Sequence, residues 1–152
     1  MTSASYLPHI ELILQSLRVA RDRLDGRGKV AVNPQFLVHA IRQMVKSLPF
    51  DEGFYLTTYD DVAQAHGIGE IGDLHSHFIE VGFFEGRLGA EPDVDSEYYL
   101  KTYPDVGRAI AGGLIGSASE HYIYHGIVEG RAPNAGTVPE IIRWMTALRP
   151  DG

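Results

Sequence analysis

The chain has 152 residues, of which 44% are hydrophobic and 22% are charged, and its formal net charge is −7. This composition is typical of a globular protein with one compact domain or two small ones, and it excludes a disordered chain. The acidic balance argues against binding to nucleic acid, which requires clustered Lys and Arg, and the absence of cysteine excludes disulfides and thiolate chemistry.

The N-terminal part of the sequence, residues 1–48, predicts a helical hairpin. Apolar residues at three- and four-residue spacing predict a first helix over residues 5–25, and a turn with two glycines follows it. Asn33 and Pro34 are typical of an N-cap and of the first helical position, so they predict the start of the second helix. Because these helices share no sequence with the rest of the chain, we expect them to serve in docking or self-association.

The following part of the chain contains one block twice, at an offset of 44 residues without insertion or deletion. Of 38 aligned pairs, 17 are identical. A duplicated block of this size is typically one supersecondary element that packs against its neighbour. We therefore predict one repeat in residues 49–90, a second in residues 91–134, and a C-terminal helix in residues 135–152.

Each repeat is predicted to form three short helices, which makes the fold class all-α. Asp51 and Asp95 are N-cap candidates for the first helix, and Pro104 suits the first turn of the second helix. Gly82 and Gly126 are predicted to end the third helix in left-handed conformation. No segment shows sustained alternation of apolar and polar residues, so we expect no sheet.

The C-terminal helix is predicted to begin at Thr137. Thr137 and Glu140 have the spacing of a capping box, in which each side chain bonds the other residue's amide. Ile141, Trp144, Met145 and Leu148 follow at helical spacing, and we expect them to form a buried stripe.

The second copy resembles a known bacterial repeat. The segments Tyr98–Val106, His121–Tyr122 and Gly126–Pro133 are similar to the "YYL…PDV…HY…G…EGR.P" helical repeat of proteobacterial proteins. The first copy departs from it at Asp60, where the repeat has proline, and at Leu88-Gly89. The resemblance implies an accessory module of the kind fused to polysaccharide-related glycosyltransferases and to surface proteins. For a small protein of two repeats, it implies an adaptor on a phage-like particle, of head-spike type.

The triplet Glu85-Gly86-Arg87 recurs as Glu129-Gly130-Arg131. One interpretation is a site at which arginine binds an anion or a sugar hydroxyl. The other is a structural clamp, in which glycine permits a turn and arginine bonds a helix-end carbonyl or an aspartate such as Asp61 or Asp105. The duplication favours the clamp, because a repeated structural contact explains two copies better than a repeated active site does.

The histidines His77 and His121 occupy matching positions, and we expect each to pack with one ring nitrogen hydrogen-bonded. His75 and His77 are two residues apart, so on a helix they point about 200° apart and do not share a metal ion. We predict no metal site, no cofactor and no catalytic residue. A small enzyme that uses Glu85 or Glu129 with a histidine as acid and base is a rival hypothesis.

Four tyrosines also recur between the copies: Tyr55 with Tyr99, and Tyr59 with Tyr103. Most aromatic residues at these helical spacings are expected in the core, with their hydroxyls at its rim. The alternative is that these four rings form a stacking surface for sugars.

These observations favour a non-enzymatic structural or adaptor protein. The expected partner is a protein, a particle or a cell-surface assembly, with polysaccharide contact and homo-oligomer formation as further options. A carbohydrate-binding module acting beside a glycosyltransferase is the alternative function. No run approaches the roughly 20 apolar residues of a membrane span. The first residues lack the features of a signal peptide. We therefore expect a soluble protein made in the cytoplasm, with display on a particle or cell surface as one option.

Overall fold

The structure is a computed structural model that describes residues 6–149, and within that range it is helical without a strand. The predicted all-α class is confirmed. The chain divides into two compact units, and the second begins at Pro49, the residue at which the first repeat is predicted to begin. Ser5, at which the first predicted helix starts, and the last three residues of the predicted C-terminal segment lie outside the described residues.

The first unit begins with helix α1 (Ile10–Leu17). The prediction of one continuous helix over residues 5–25 is wrong, because Arg18 adopts left-handed backbone with φ 56° and ends α1. A separate 3₁₀ turn follows at Arg21–Leu24. The apolar spacing continues through this break, so the sequence pattern alone does not reveal it.

Helix α2 (Pro34–Val45) completes the first unit and begins where the sequence predicts. The side chain of Asn33 accepts a hydrogen bond from the amide of Gln35 at 2.8 Å, as expected of an N-cap. Among the described residues of this unit, Leu14 and Val45 are the buried side chains. The unit therefore has a small core for its length.

The second unit contains both repeats, and each repeat has three helical segments in the same order. The first copy contains α3 (Glu52–Thr58), α4 (Asp60–Gly67) and α5 (Leu74–His77), and the second contains α6 (Ser96–Thr102), α7 (Pro104–Ala111), α8 (Ala118–His121) and α9 (Ile127–Glu129). The third segment of each copy includes a π turn, at Phe78–Gly82 after α5 and at Tyr122–Gly126 between α8 and α9.

The first helix of each repeat is capped as the sequence predicts. Asp51 accepts a hydrogen bond from the amide of Phe54 at 2.7 Å, and Asp95 accepts one from the amide of Tyr98 at 3.0 Å. The same two aspartates also donate their own amides to the end of the repeat, to the carbonyls 38 residues later (residues 89 and 133), at 2.9 and 3.0 Å. Each repeat is thus closed on itself by a backbone bond between its start and its end.

Gly126 lies inside the third helical segment, and Gly82 is the last residue of the π turn in the first copy, after which Phe83 keeps helical backbone angles. The prediction that they are left-handed end residues is wrong, since neither has a positive φ. These positions have no side chain for another reason. A Cβ at Gly82 would overlap the hydroxyl of Tyr55, and a Cβ at Gly126 would overlap the hydroxyl of Tyr99. Glycine at these positions permits close approach of the buried tyrosine to the helix backbone.

The third segment ends four residues later, at Gly86 and Gly130. These glycines have φ values of 81° and 69°, which is the left-handed region that favours glycine. In the second copy the amide of Arg131 donates to the carbonyl of Gly126 at 2.9 Å, and the first copy has the equivalent bond at the same distance. This is the hydrogen bond of a Schellman motif, and it fixes the direction in which the arginine leaves the helix.

The core of each repeat forms around the tyrosine of its first helix. Tyr55 and Tyr99 are completely buried, and the helix packing that covers them lies within their own repeat. The other buried apolar side chains are Val62, Leu74, Phe78 and Ile79 in the first copy and Val106, Ala118 and Ala132 in the second.

Helix α10 (Val138–Ala147) follows a 3₁₀ turn at Ala135–Thr137. The predicted capping box is wrong, because the hydroxyl of Thr137 donates to the carbonyl of Asn134 at 2.9 Å and makes no cap for α10. Asn134 instead caps the 3₁₀ turn by accepting a hydrogen bond from the amide of Thr137 at 3.1 Å. The side-chain cap therefore belongs to Asn134 and to the 3₁₀ turn, not to Thr137 and helix α10.

The predicted burial of the α10 stripe is also wrong. No residue of α10 is buried, and Trp144 and Met145 are 47% and 43% exposed. Amphipathic spacing reports that a helix has an apolar face, but it does not report whether the rest of the chain covers that face.

Candidate functional site

The polar residues singled out by the sequence meet at the end of each repeat. In the second copy the two terminal nitrogens of Arg131, Nη1 and Nη2, donate to the two carboxylate oxygens of Asp105 at 3.0 and 2.9 Å. Its Nε donates to Glu129 at 2.5 Å. Of the two partners that the sequence left open for arginine, the structure has the aspartate.

The first copy has the same three bonds. Arg87 donates to both oxygens of Asp61 at 2.9 and 2.7 Å, and its Nε donates to Glu85 at 2.9 Å. In both copies the arginine side chain is about four-fifths covered, with exposed fractions of 19% and 21%. A fork-like, two-bond contact between guanidinium and carboxylate is the most directional ion pair available to side chains.

The local fold explains why these residues meet. Arginine follows the left-handed glycine directly, so the Schellman turn aims it back along the repeat. Asp61 and Asp105 lie in the first turn of the second helix, where the positive end of the helix dipole also favours a carboxylate. The guanidinium carbon of Arg131 lies 4.9 Å from the ring centre of Tyr103, and Arg87 has the same contact with its own repeat's tyrosine.

The ion pairs shift the acid–base equilibria of their members. The hydrogen bond from Arg87 holds the pKa of Asp61 below its usual range, and the bond from Arg131 does the same to the pKa of Asp105. The two arginine pKa values are raised further, mainly by these aspartate bonds. The arginine and the aspartate of each pair are therefore charged near neutral pH.

A tyrosine–histidine pair lies beneath each ion-pair cluster. The hydroxyl of Tyr99 and Nδ1 of His121 share a hydrogen bond of 2.9 Å, and Tyr55 and His77 share one of 3.0 Å. Burial lowers the pKa of His121, with a further contribution from the positive charge of Arg131. Burial also raises the pKa of both tyrosines to about 12.

The remaining tyrosines close the repeat through the backbone. The amide of Leu88 donates to the hydroxyl oxygen of Tyr59 at 2.6 Å, and the amide of Ala132 donates to that of Tyr103 at 2.8 Å. These bonds join the second-helix start to the segment after the arginine. The hydroxyls of Tyr59 and Tyr103 thus make hydrogen bonds within their own repeats.

The tyrosine stacking surface for sugars finds no support at Tyr55 and Tyr99. Both rings are completely buried, so they have no face for a ligand, and this part of the sequence-based hypothesis is wrong. Tyr59 and Tyr103 are half-buried, and each has the arginine guanidinium over its ring. A sugar ring would have to replace that cation.

The sequence missed two features of this site. It did not identify the contact of Gly82 and Gly126 with the tyrosines, although their identity in both copies was the available signal. It also missed the stacking of Phe50 on His75, with ring centres 4.8 Å apart. Within residues 6–149 no three His, Asp or Glu side chains are grouped so that they could hold a metal ion.

An open apolar groove lies next to the second cluster. It has a volume of about 390 Å³, and Tyr122, Ile127 and Pro133 form its repeat side, while Trp144 and Met145 of α10 form the other. Arg131 reaches its edge. The wall is mostly apolar, so the groove suits apolar side chains better than a charged ligand.

Comparison with protein-family models, with curated proteins and with solved structures yields no match. In the described part of the chain, none of the helices has the length and apolar character that crossing a membrane requires. The fold and the site together define an all-α protein with a duplicated helical unit, in which the same ion-pair and tyrosine–histidine contacts occur once per copy.

Proposed function

We propose that this chain is a non-enzymatic adaptor, in which the duplicated helical unit presents surfaces to a protein partner. The observation that supports this proposal most directly concerns the charged residues and histidines that the sequence offers as site candidates. Their hydrogen bonds are made within the protein itself. Arg131 binds Asp105 and Glu129, and His121 binds Tyr99, all within one repeat. Groups that are engaged in holding a repeat together have a structural use that needs no substrate.

The same observation weighs against the acid–base hypothesis. Glu85 and Glu129 each accept a hydrogen bond from arginine, and the histidine Nδ1 atoms bind tyrosine. Because these atoms already take part in contacts within the repeat, a catalytic role would require the same residues to serve both the fold and a substrate. In addition, an identical arrangement in two copies is typical of a structural element, which each repeat needs for its own stability.

The surfaces available to a partner are those at which the copies differ. In the second copy Tyr124 and Val128 are four residues apart on the third helical segment, and they are 71% and 85% exposed. The first copy has Glu80 and Phe84 at these positions. Exposed aromatic and aliphatic side chains are the usual anchors of protein interfaces. Phe84 is also 43% exposed, so this position exposes an apolar side chain in both copies, whereas the exposed tyrosine belongs to the second copy alone.

The resemblance to the proteobacterial repeat suggests the setting for this adaptor. We infer a structural component at a bacterial or phage-like particle surface, of the head-spike type, where the N-terminal helices attach the protein and the repeats face outwards. Tyr124 supports contact with cell-surface polysaccharide as a second candidate function, because an exposed tyrosine face can stack on a sugar ring.

Binding to whole source cells and to particles isolated from them tests this proposal. The tagged chain is compared with Tyr124→Lys and Val128→Glu, and Leu114→Glu, which changes another exposed apolar residue of the second copy, is the matched control. We expect binding that both variants reduce about tenfold, as for anchor residues, while the control binds like the wild type. Equal binding by all three variants, or turnover of a small molecule that depends on His121, would contradict the adaptor function.

The same assay separates the two candidate targets. Protease treatment of the cells before binding removes protein receptors, whereas periodate oxidation destroys polysaccharide. Loss of binding after protease alone supports a protein partner. Loss after periodate alone supports polysaccharide contact and removes the leading proposal.

A further inference from the structure

The charge of the chain is divided unevenly between residues 1–48 and the remainder. Residues 1–48 contain seven Lys and Arg residues against three Asp and Glu residues, so this part has a formal net charge of +4. The remainder has six basic against 17 acidic residues and a net charge of −11. The net charge of −7 is therefore the average of a basic and an acidic part. Such an asymmetry between two parts of a chain indicates an anionic partner for the basic part.

Five of the seven basic residues lie close together between α1 and α2. They occupy residues 18–29, all five are exposed, and two acidic residues accompany them. Arg21 forms an ion pair with Glu11. Among residues 6–149, the side chains of Arg18 and Arg23 have neither an acidic partner nor another hydrogen-bond partner. Their guanidinium groups are thus available to an anion, unlike those of the repeat arginines, which bind carboxylates of their own repeats.

Arg18 and Arg23 line an open groove that also has apolar walls. The groove has a volume of about 440 Å³ and lies between the end of α1 and the segment that precedes α2, with Val30 among its apolar lining residues. Val30 is 46% exposed, and Leu24, the neighbour of Arg23 in the chain, is 54% exposed. The same surface therefore presents cations and apolar side chains side by side.

We propose that this surface attaches the protein to an anionic lipid bilayer, with Arg18 and Arg23 at the headgroup phosphates and Leu24 and Val30 among the outermost acyl carbons. A guanidinium group binds phosphate with two nitrogens at once. Basic residues interspersed with exposed apolar ones are typical of protein segments that lie on a membrane surface without crossing it. The proposal concerns residues 1–48 and does not depend on the adaptor function, which rests on contacts within the repeats.

Two features favour lipid over the other anionic partners. A nucleic-acid backbone binds through its phosphates, so it would leave Leu24 and Val30 in water. An acidic protein would require a well-packed, complementary surface. The described part of the first unit has a small core, with Leu14 and Val45 as its buried side chains, and few buried contacts give little local rigidity. A fluid bilayer adapts to such a surface, whereas a rigid partner does not.

Cosedimentation of the full chain with protein-free vesicles tests the proposal. We expect binding to vesicles of mixed phosphatidylglycerol and phosphatidylcholine, and much weaker binding to phosphatidylcholine alone. Arg23→Glu should reduce partition onto the anionic vesicles at least about tenfold, since each basic residue near such a surface contributes about fivefold. Lys101→Glu makes the same change in net charge at an exposed residue of α6 and should bind like the wild type. Absence of binding to the anionic vesicles, or equal losses in the two variants, overturns the proposal.

A second pair of variants tests the apolar contact. Leu24→Ala should lower binding about fivefold, because part of a leucine side chain no longer leaves water. Leu114→Ala, at an exposed leucine of the second repeat, should have no effect. Inorganic phosphate or duplex DNA, at the phosphate concentration of the vesicles, should leave the protein bound. Identical binding by the two leucine variants, or complete release by either competing anion, would assign the groove to a free anion or a nucleic acid and overturn the lipid proposal.

Discussion

The two copies of the repeat agree in their polar contacts and differ in their apolar surroundings. The arginine ion pairs, the tyrosine–histidine bond and the tyrosine–amide bond recur, and the largest difference in distance is 2.9 against 2.5 Å for the arginine Nε bond. By contrast, Phe50 and His75 of the first copy correspond to Val94 and Ser119 of the second.

The difference shows which contacts the fold requires. In the first copy, Phe50 packs edge-on against Tyr55 and stacks on His75, whereas in the second copy Val94 packs against the core of Tyr99. A core accepts different apolar residues if the total volume is kept. A buried polar network accepts less change, because removal of one partner leaves the other without its hydrogen bond.

The largest expected effect is at the glycines that contact the buried tyrosines. A Cβ at Gly126 would overlap the hydroxyl of Tyr99 and also lie 2.9 Å from Cδ2 of Tyr122, while a Cβ at Gly82 would overlap only Tyr55 seriously. We expect Gly126→Ala to lower the free energy of unfolding by about 3 kcal/mol, as overpacking of a core does, and Gly82→Ala by less. Urea denaturation measures both.

The copies should also differ in how far these variants can be rescued. Tyr55→Phe removes the hydroxyl that meets the new Cβ at Gly82, so the double variant should be more stable than the sum of the single effects predicts. Tyr99→Phe should rescue Gly126→Ala only in part, because Tyr122 remains. Gly107→Ala, in an open position on α7, should stabilise by about 1 kcal/mol instead. Equal gains at all three glycines would show that helix propensity, not tyrosine contact, governs them.

The second effect concerns the tyrosines at high pH. Burial raises the pKa of Tyr55 and Tyr99 from 10.0 to about 12, so the folded state holds these protons longer than the unfolded chain does. Their contribution to stability is therefore complete below pH 10 and is lost as the pH rises from 10 towards 12. Burial also raises the pKa of Tyr122, so tyrosinate absorbance should show Tyr55, Tyr99 and Tyr122, of the eight tyrosines, titrating late. In Tyr99→Phe one late proton should disappear; titration of all tyrosines near pH 10 in the folded protein would contradict their burial.

The third effect concerns the ion pairs. In a double-mutant cycle with Arg131→Ala and Asp105→Ala, we expect a coupling free energy of about 1 kcal/mol, the upper end for pairs that remain accessible to solvent. Arg131→Lys should lose most of it, since lysine cannot bind both oxygens at once. The exposed Glu140–Arg143 pair is the matched control and should show weaker coupling. Coupling as weak as in this control would mean that the recurring ion pair does not stabilise the repeat.

The ion pair between arginine and aspartate could be anticipated from the sequence, whereas the end of the third helix could not. Asp105 and Arg131 recur at the same offset in the first copy, and identical charged residues of opposite sign in both copies suggest a contact. The helix continues through Gly126 as a π turn, which adds one residue to a helical turn. No special residue type marks a π turn, so the sequence around Gly126 is read as the end of a helix. The left-handed glycine that ends the segment is therefore Gly130.

The sequence also could not predict how much of the first and the last helix is exposed. The spacing of Ile141, Trp144 and Met145 predicts an apolar face correctly, but burial depends on which other element lies against that face. The same holds for the first helix, where the apolar pattern continues past Arg18 although the backbone turns there. Local patterns determine helices and caps, while long-range packing determines which faces are covered.

The smallest expected effect concerns the stability that His121 contributes at mildly acidic pH. Burial lowers the pKa of His121 below its ordinary value of 6.5, so below that pH the unfolded chain binds a proton that the folded state excludes. The stability contributed by neutral His121 is present above pH 6.5 and is lost as the pH falls below it. The free energy of unfolding, measured by urea at pH 7 and 5, should decrease in the wild type and less in His121→Gln. The aspartates with lowered pKa values lose their contribution only at lower pH, below about 3.9, so the two windows are separate. A wild type and a His121→Gln variant with the same pH dependence between 7 and 5 would show that His121 does not govern this window, and that its burial has no consequence for stability.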